Sequence, residues 1–209
     1  MIGIIDYGMG NIHSVQKALE STGVKVLVIN KPEDIQECDK LILPGVGAYK
    51  DAMQELSNQG LVKAITDFIR QDKVFLGICL GMQLLFDSSD EAIGVKGLGI
   101  IKGKVKRFFL PEGFKVPHMG WNQLNRGVRG KGSAVDDCPL LKGIEDGAYV
   151  YFCHSYYCAP KDNRVIAATA EYSKDFCAVA WQDNCFGMQF HPEKSQDVGL
   201  KILRNFVEL

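Results

Sequence analysis

The sequence predicts an α/β fold in which a central, mostly parallel sheet is flanked by helices and extended by an antiparallel β-ribbon region. Short apolar runs alternate with helical patterns through residues 2–78, an order typical of βαβ units. From residue 100 onward, alternating apolar and polar runs are separated by Gly, Asp and Asn, which favours hairpins. No linker or repeat divides the 209 residues, so residues 1–209 are predicted to form a single domain.

The first half of the chain supplies the predicted parallel strands. Each strand is a short apolar run, and Val15 and Leu19 share one face of the first helix. The predicted order is strand 2–6, helix 11–21, strand 24–29, a short helix after Pro32, strand 40–43, a helical pattern over 48–71 broken near Gly60, strand 74–78, and then a further helix.

The second half is predicted to add strands and a final helix. Ser195 is the predicted N-cap of a C-terminal helix whose apolar residues recur at helical spacing. The predicted strands are 100–108, 115–124, 149–157, 165–171, 177–181 and 185–190.

Charge and cysteine usage restrict the function. A net charge of −1 argues against a nucleic-acid-binding protein. Seven cysteines without a C-x-x-C pair indicate reduced thiols in a cytoplasmic protein, and neither a disulfide framework nor a zinc site. No signal peptide or membrane-length apolar run is present. We expect no metal and no cofactor, and Gly8-x-Gly10 lacks the third glycine of a dinucleotide motif.

One cysteine lies where a strand is predicted to turn into a helix. Gly77-x-Cys79-x-Gly81 is the thiol form of the G-x-S-x-G nucleophile elbow. A helix N-terminus favours the thiolate that a nucleophile needs. The alternative is a structural cysteine, since free cysteines usually pack as small hydrophobic residues.

A base and an orienting acid follow another predicted strand. His191 comes directly after strand 185–190, and Pro192 biases it away from helical geometry. Glu193 lies two residues after His191, and in an extended segment residues at this spacing face the same side. Taken singly, His191 is a half-buried histidine and Glu193 a surface charge. Together with Cys79 they favour a Cys-His-Glu hydrolytic site.

These motifs resemble the class-I, or triad, glutamine amidotransferases, which have a flavodoxin-like fold. Segments 77–81 and 190–193 match the wider class. Segments 6–11, 44–47, 115–122, 154–157 and 191–195 narrow the resemblance to the glutaminase subunits of imidazole glycerol phosphate synthases. The resemblance implies that L-glutamine is hydrolysed to glutamate and ammonia through a thioester on Cys79, with His191 as base and Glu193 as its orienting acid.

The resemblance also implies roles for residues around this triad. The backbone N–H of Leu80 would be one oxyanion donor, and that of Val46 or Gly47 the second. Gln83 and backbone groups of Ser155 and Tyr156 would contact the substrate. The face toward a partner would comprise Asn11, His118, Met119, Trp121, Asn122 and Lys194.

Ammonia released into bulk water would be lost, and the sequence offers no acceptor site of its own. The partner implied by the resemblance is a TIM-barrel cyclase subunit, bound as a heterodimer, which makes imidazole glycerol phosphate and aminoimidazole carboxamide ribotide in histidine biosynthesis. Three alternatives stay open. The same glutaminase could serve surface-sugar amidation, the chain could be a free-standing cysteine amidase or peptidase, or it could be a non-catalytic scaffold.

Overall fold

Residues 1–126 and 138–209 are described by a computed structural model. The strands are β1 (Ile2–Ile5), β2 (Val26–Ile29), β3 (Lys40–Gly45), β4 (Val74–Cys79), β5 (Ser88–Ser89), β6 (Gly103–Arg107), β7 (His118–Gln123), β8 (Tyr149–His154), β9 (Tyr156–Pro160), β10 (Ile166–Glu171), β11 (Asp175–Gln182) and β12 (Cys185–Met188). The helices are α1 (Ile12–Glu20), α2 (Tyr49–Asn58), α3 (Leu61–Arg70), α4 (Leu80–Leu84) and α5 (Gln196–Glu208).

Ten of these strands form one sheet, in the order β2-β1-β3-β4-β12-β11-β9-β6-β5, with β10 paired to β11. The pairs from β2 through β12 are parallel, whereas β11 pairs antiparallel with β12, β9 and β10. Strands β7 and β8 form a separate antiparallel pair. The prediction of a mostly parallel α/β sheet with an antiparallel addition is therefore confirmed.

Helices cover both faces of the parallel strands. Successive strand residues point to opposite faces, so Leu76 packs in the cluster that holds α1 and α5, while Phe75 packs with α2 and α3. On α5, Ile202, Leu203 and Phe206 are buried at the spacing that the sequence predicts. No helix among the described residues is both long and apolar enough to cross a bilayer.

One predicted strand is in fact two. The run 149–157 breaks at Ser155, and its halves join different sheets: β8 pairs with β7, while β9 pairs with β6 and β11. Across the break, the Nδ1 atom of His154 lies 2.8 Å from the Tyr156 carbonyl oxygen. That local bond occupies the carbonyl and marks the point where the chain changes sheets.

Ser195 precedes α5 as predicted, but its side chain does not cap the helix. Its hydroxyl instead donates to the His191 carbonyl oxygen at 2.6 Å and accepts from the Tyr151 N–H at 3.0 Å. Ser195 therefore ties β8 to the segment that follows β12.

We predict that Ser195→Ala lowers the free energy of unfolding by about 1–3 kcal/mol, because the Tyr151 N–H would lose its acceptor in a buried place. Urea denaturation measures this. Ser21→Ala is the matched control, since the Ser21 hydroxyl donates to the Ala18 carbonyl at an exposed helix end. Equal losses in the two variants would contradict the prediction.

Candidate active site

Cys79 stands at the end of β4 with no residue between it and α4, and its φ of 54° is rare for a non-glycine residue. A backbone held in this region costs about 1–3 kcal/mol and is typical of functional sites. At this turn the first residues of α4 pack directly against the backbone of β3. A Cβ atom on Gly81 would lie 1.8 Å from the Leu43 carbonyl oxygen. The elbow thus requires glycine at Gly81, and it presents the thiol at the strand end.

The sheet brings His191 to the same place. Strands β4 and β12 are parallel neighbours, with Met188 opposite Ile78, so the chain beyond β12 emerges beside Cys79. The His191 N–H donates to the Tyr151 carbonyl oxygen at 2.9 Å. This bond, with that from Ser195 to the His191 carbonyl, fixes the backbone that carries the imidazole.

His191 and Glu193 form a buried pair. The Nδ1 atom of His191 lies 2.9 Å from Oε1 of Glu193, and their side chains are 5% and 0% exposed. Burial acts to lower the pKa of His191, but hydrogen bonds to Cys79 and Glu193, and the negative charge of both, outweigh burial and raise it well above its ordinary value. The site thus favours the charged, imidazolium form of His191.

The Cys79 sulfur also contacts Gln189, which sequence reasoning missed. The Gln189 amide nitrogen lies 3.8 Å from the sulfur, and its side chain is fully buried. A signal was available: Gln189 interrupts an apolar strand two residues before His191, a spacing that puts the two on the same face.

A cleft with a volume of ≈ 340 Å³ opens over the thiol. The structure brings the predicted oxyanion and substrate residues together there, since all six line it: Val46, Gly47, Leu80, Gln83, Ser155 and Tyr156. Their contacts with substrate stay predictions. The cleft also includes residues that the sequence did not indicate: Glu91, Pro117, Cys153 and His154.

The two predicted oxyanion donors follow the ends of neighbouring strands, β3 and β4. Gly45, the last residue of β3, is the register partner of Cys79, so Val46 and Gly47 follow directly after the end of that strand. Gly47 has a φ of 97°, a backbone conformation that glycine adopts without strain. Leu80 is the first residue of α4, where helix N–H groups have no partner within the helix.

Gln83 and Glu91 contribute different polar groups to the cleft. The Gln83 amide nitrogen is already engaged, lying 3.2 Å from both the Tyr156 carbonyl oxygen and Gln189 Oε1. Glu91 accepts a hydrogen bond from the Tyr49 N–H at 3.1 Å, and partial burial raises its pKa despite that bond. A carboxylate at this position suits a cationic group on a ligand.

Most residues predicted to face a partner are accessible. Met119 and Trp121 are 60% and 46% exposed, and Lys194 is exposed with its amine over the Tyr151 ring. Asn11 is half-buried and caps α1, accepting from the Ser14 N–H. Asn122 is half-buried and donates to the Glu171 carbonyl oxygen at 2.7 Å.

His118 differs from this expectation. It is only 3% exposed, and its ring stacks between Phe152 and Tyr172. Side chains alternate along β7, so His118 points inward while Met119 points outward. The His118 side chain therefore does not form part of the exposed face.

Among the described residues, no cluster of three or more His, Cys, Asp or Glu side chains is placed to hold a metal ion. The reactive groups of the site are the Cys79 thiol, the His191 imidazole and the Glu193 carboxylate, with the imidazole between the other two. This arrangement supports nucleophilic attack on an acyl carbon followed by hydrolysis.

Comparisons with known proteins agree with this geometry. The family model for class-I glutamine amidotransferases matches residues 3–209. The chain is 48% identical over 214 residues to "Imidazole glycerol phosphate synthase subunit HisH" of Syntrophotalea carbinolica, covering 100% of both chains. It is 49% identical over 209 residues to the protein of the same name from Methanocaldococcus jannaschii, again covering 100% of both.

Solved structures show the same fold at low identity. A crystal structure of a glutamine amidotransferase matches with a TM-score of 0.75 and 17% identity, covering 99% of this chain and 97% of that one. PurLQS from Thermotoga maritima matches with a TM-score of 0.76 and 18% identity, at the same coverage. Together with the matched family model and the full-length relatives, the fold and site show that the chain belongs to the class-I glutamine amidotransferases.

Proposed function

We propose that this chain is the glutaminase subunit of an imidazole glycerol phosphate synthase. It hydrolyses L-glutamine to glutamate and ammonia, and a cyclase (HisF) subunit uses the ammonia in histidine biosynthesis. The observation that carries the proposal is the buried His191–Glu193 pair, whose imidazole lines the same cleft as the Cys79 thiol. Full-length relatives that are subunits of that synthase support the choice of acceptor.

The first half of the reaction forms a thioester. The Cys79 thiolate attacks the carbon of the glutamine carboxamide, and the negative charge moves to the carboxamide oxygen. Backbone N–H groups of Leu80 and of Val46 or Gly47 would stabilise that oxyanion. The imidazolium of His191 then gives its proton to the amide nitrogen, the C–N bond breaks, and ammonia leaves.

The second half hydrolyses the thioester. Neutral His191 takes a proton from water, and the hydroxide attacks the same carbon through a second oxyanion. Collapse of this intermediate breaks the C–S bond and releases glutamate, and the proton on His191 again pairs with the thiolate. Glu193 holds the Nδ1 side of the ring throughout and stabilises its charged form.

The cleft also suits the rest of a glutamine molecule. The Glu91 carboxylate would pair with the substrate's α-ammonium group, and backbone groups of Ser155 and Tyr156 would hold the α-carboxylate. Gln83 lies one helical turn after Cys79 on α4 and would orient the side chain of the substrate. Lys194, one residue of the predicted face toward the cyclase, lines this cleft.

We further propose that residues 1–209 act as one glutamine amidotransferase domain in the cytoplasm, where the seven free cysteines would stay reduced. The cyclase would bind as the second member of a heterodimer. Docking beside the cleft would let ammonia pass between subunits without entering bulk water.

Glutamate release with and without the cyclase tests the proposal. We expect slow turnover by the chain alone and about 5- to 150-fold faster turnover with the cyclase and its nucleotide ligand, the usual size of coupling between sites. Met119→Glu should weaken this activation, whereas Val28→Glu, on the far edge strand β2, should not.

Other outcomes would point to the alternatives. Full glutaminase activity without a partner, or cleavage of peptides and not glutamine, would indicate a free-standing hydrolase. Activation by a surface-sugar-amidating synthase and not by the cyclase would place the same chemistry in another pathway.

We predict that Glu193→Gln lowers kcat by about two to four orders of magnitude, because a neutral amide no longer stabilises the imidazolium.

The same change should alter how the free energy of unfolding depends on pH. A histidine whose folded pKa is raised stabilises the protein below its unfolded pKa, near 6.5, and the contribution is lost as pH rises through the folded value. The unfolding free energy of Glu193→Gln should therefore fall less steeply between neutral and alkaline pH.

Urea denaturation across that pH range checks the prediction. Glu145→Gln is the matched control, because Glu145 is exposed. A Glu193→Gln profile parallel to the wild-type profile would rule out the stabilised imidazolium.

A further inference from the structure

A line of hydrogen-bonded groups runs from β7 toward the active site. The Asn122 amide nitrogen lies 3.3 Å from His118 Nε2, and His118 Nδ1 lies 3.0 Å from His154 Nε2. His154 Nδ1 then lies 2.8 Å from the Tyr156 carbonyl oxygen. The line thus reaches the floor of the cleft through two buried histidines.

The same carbonyl begins a second line that ends at the nucleophile. The Gln83 amide nitrogen lies 3.2 Å from the Tyr156 carbonyl oxygen and 3.2 Å from Gln189 Oε1. The Gln189 amide nitrogen lies 3.8 Å from the Cys79 sulfur. Both glutamines are buried, at 4% and 0% exposure, so water does not compete for these bonds.

The direction of every bond in the second line is determined. A carbonyl oxygen only accepts, so Gln83 must turn its NH₂ group toward Tyr156. That NH₂ group also meets Gln189, which must therefore present its oxygen. The Gln189 NH₂ group is left facing Cys79, and a flipped amide at either glutamine would bring two like groups together.

The histidine line has a determined direction as well. To donate to Tyr156, His154 must carry its proton on Nδ1, and its Nε2 then accepts from His118 Nδ1–H. The Asn122 NH₂ group, held by the Glu171 carbonyl, completes the line at His118 Nε2. Burial lowers the pKa of His118 to about 4 and that of His154 to about 3, so each ring carries one proton at neutral pH, as this pattern needs.

We propose that Gln189 is a catalytic residue whose amide N–H donates to the Cys79 sulfur, and that Gln83 is a positioning residue that keeps this amide facing the sulfur. A donor aimed at sulfur favours the thiolate over the thiol and fixes the direction of its attack. The Tyr156 carbonyl and the histidine line hold Gln83 in turn. The proposal rests on the proposed function only in taking Cys79 as the nucleophile.

Alkylation of Cys79 by iodoacetamide tests the role of Gln189 without glutamine or a partner. The full-length chain is treated at a series of pH values, and modification is read from the mass of the peptide that contains Cys79. Gln189→Met keeps the side-chain length but removes the donor, and we expect about tenfold slower alkylation at neutral pH. Gln189→Glu turns an acceptor toward the sulfur and should be slower still.

Cys153, which lines the same cleft, is the internal reference. Its alkylation rate should not change between variants, which separates loss of the donor from altered access or unfolding. Gln83→Met, which frees the Gln189 amide to turn, should give an intermediate Cys79 rate. If Gln189→Met does not fold, the Cys79 alkylation rates of Gln83→Met and Gln189→Glu are compared with that of wild type. We expect wild type to be fastest and Gln189→Glu slowest.

Equal Cys79 rates in wild type, Gln189→Met and Gln189→Glu, with Cys153 unchanged, would overturn the proposal. So would parallel losses at Cys79 and Cys153, because they would indicate a general structural role. Normal Cys79 reactivity in a protein that releases no glutamate would instead contradict the proposed function and leave the role of Gln189 intact.

Discussion

Cys79→Ala should abolish glutamate release, with a loss of kcat of about five to six orders of magnitude, as for removal of a triad nucleophile in a serine protease. His191 and Glu193 supply only proton transfer and orientation, so neither can replace the Cys79 thiolate as nucleophile. The fold should survive, since the change removes one atom from a residue at the end of a strand. Glutamate production by the purified variant, with the cyclase and its ligand present, measures the loss.

Cys153→Ala is the matched control for this change. Cys153 lines the same cleft, and its contact with the Cys79 sulfur is through its backbone carbonyl oxygen at 3.9 Å, which alanine retains. We expect Cys153→Ala to keep nearly wild-type turnover and Cys79→Ala to bind the cyclase as tightly as wild type. Retained turnover in Cys79→Ala would show that the nucleophile lies elsewhere.

Gly81→Ala should have the largest effect on stability. The added Cβ would lie 1.8 Å from the Leu43 carbonyl oxygen, a contact between two backbones that no side-chain rotation relieves. Either α4 lifts from β3 or the elbow opens, and both change the position of Cys79. We expect a loss of more than about 4 kcal/mol, the exceptional range for a single substitution, or no folded protein.

Gly23→Ala separates this clash from the cost of backbone conformation. Gly23 has a φ of 91° with open space where a Cβ would be, so alanine there should cost only about 1 kcal/mol. Thermal melting of both variants makes the comparison. A Gly81→Ala protein that melts near the Gly23→Ala protein would mean that the helix and strand are not tightly apposed.

The parallel half of the sheet could be predicted because its signals are local. Each strand is a short run of apolar residues, and the break near Gly60 separates α2 from α3. Cys79, His191 and Glu193 were also predicted from local motifs, because an elbow and an extended His-x-Glu segment each need particular neighbours in sequence.

What the sequence did not reveal depends on contacts between distant residues. His118 is buried because Phe152 and Tyr172 stack on its two faces, and nothing near it in sequence indicates either ring. Gln189 meets Cys79 only because β12 lies beside β4. The change of sheet at Ser155 likewise depends on which strands the two halves of the run 149–157 pair with, and the aromatic residues on both sides of Ser155 conceal it.

The place of β12 between β4 and β11 has a consequence for how the protein is made. A ribosome releases β4 and its thiol early, whereas β12 and His191 are made 112 residues later (191 − 79). Until then the thiol has no base, and one edge of β4 has no strand to pair with. The nucleophile therefore becomes reactive only when β12 inserts beside β4, so β12 and His191 must be synthesised before any glutamine can be consumed.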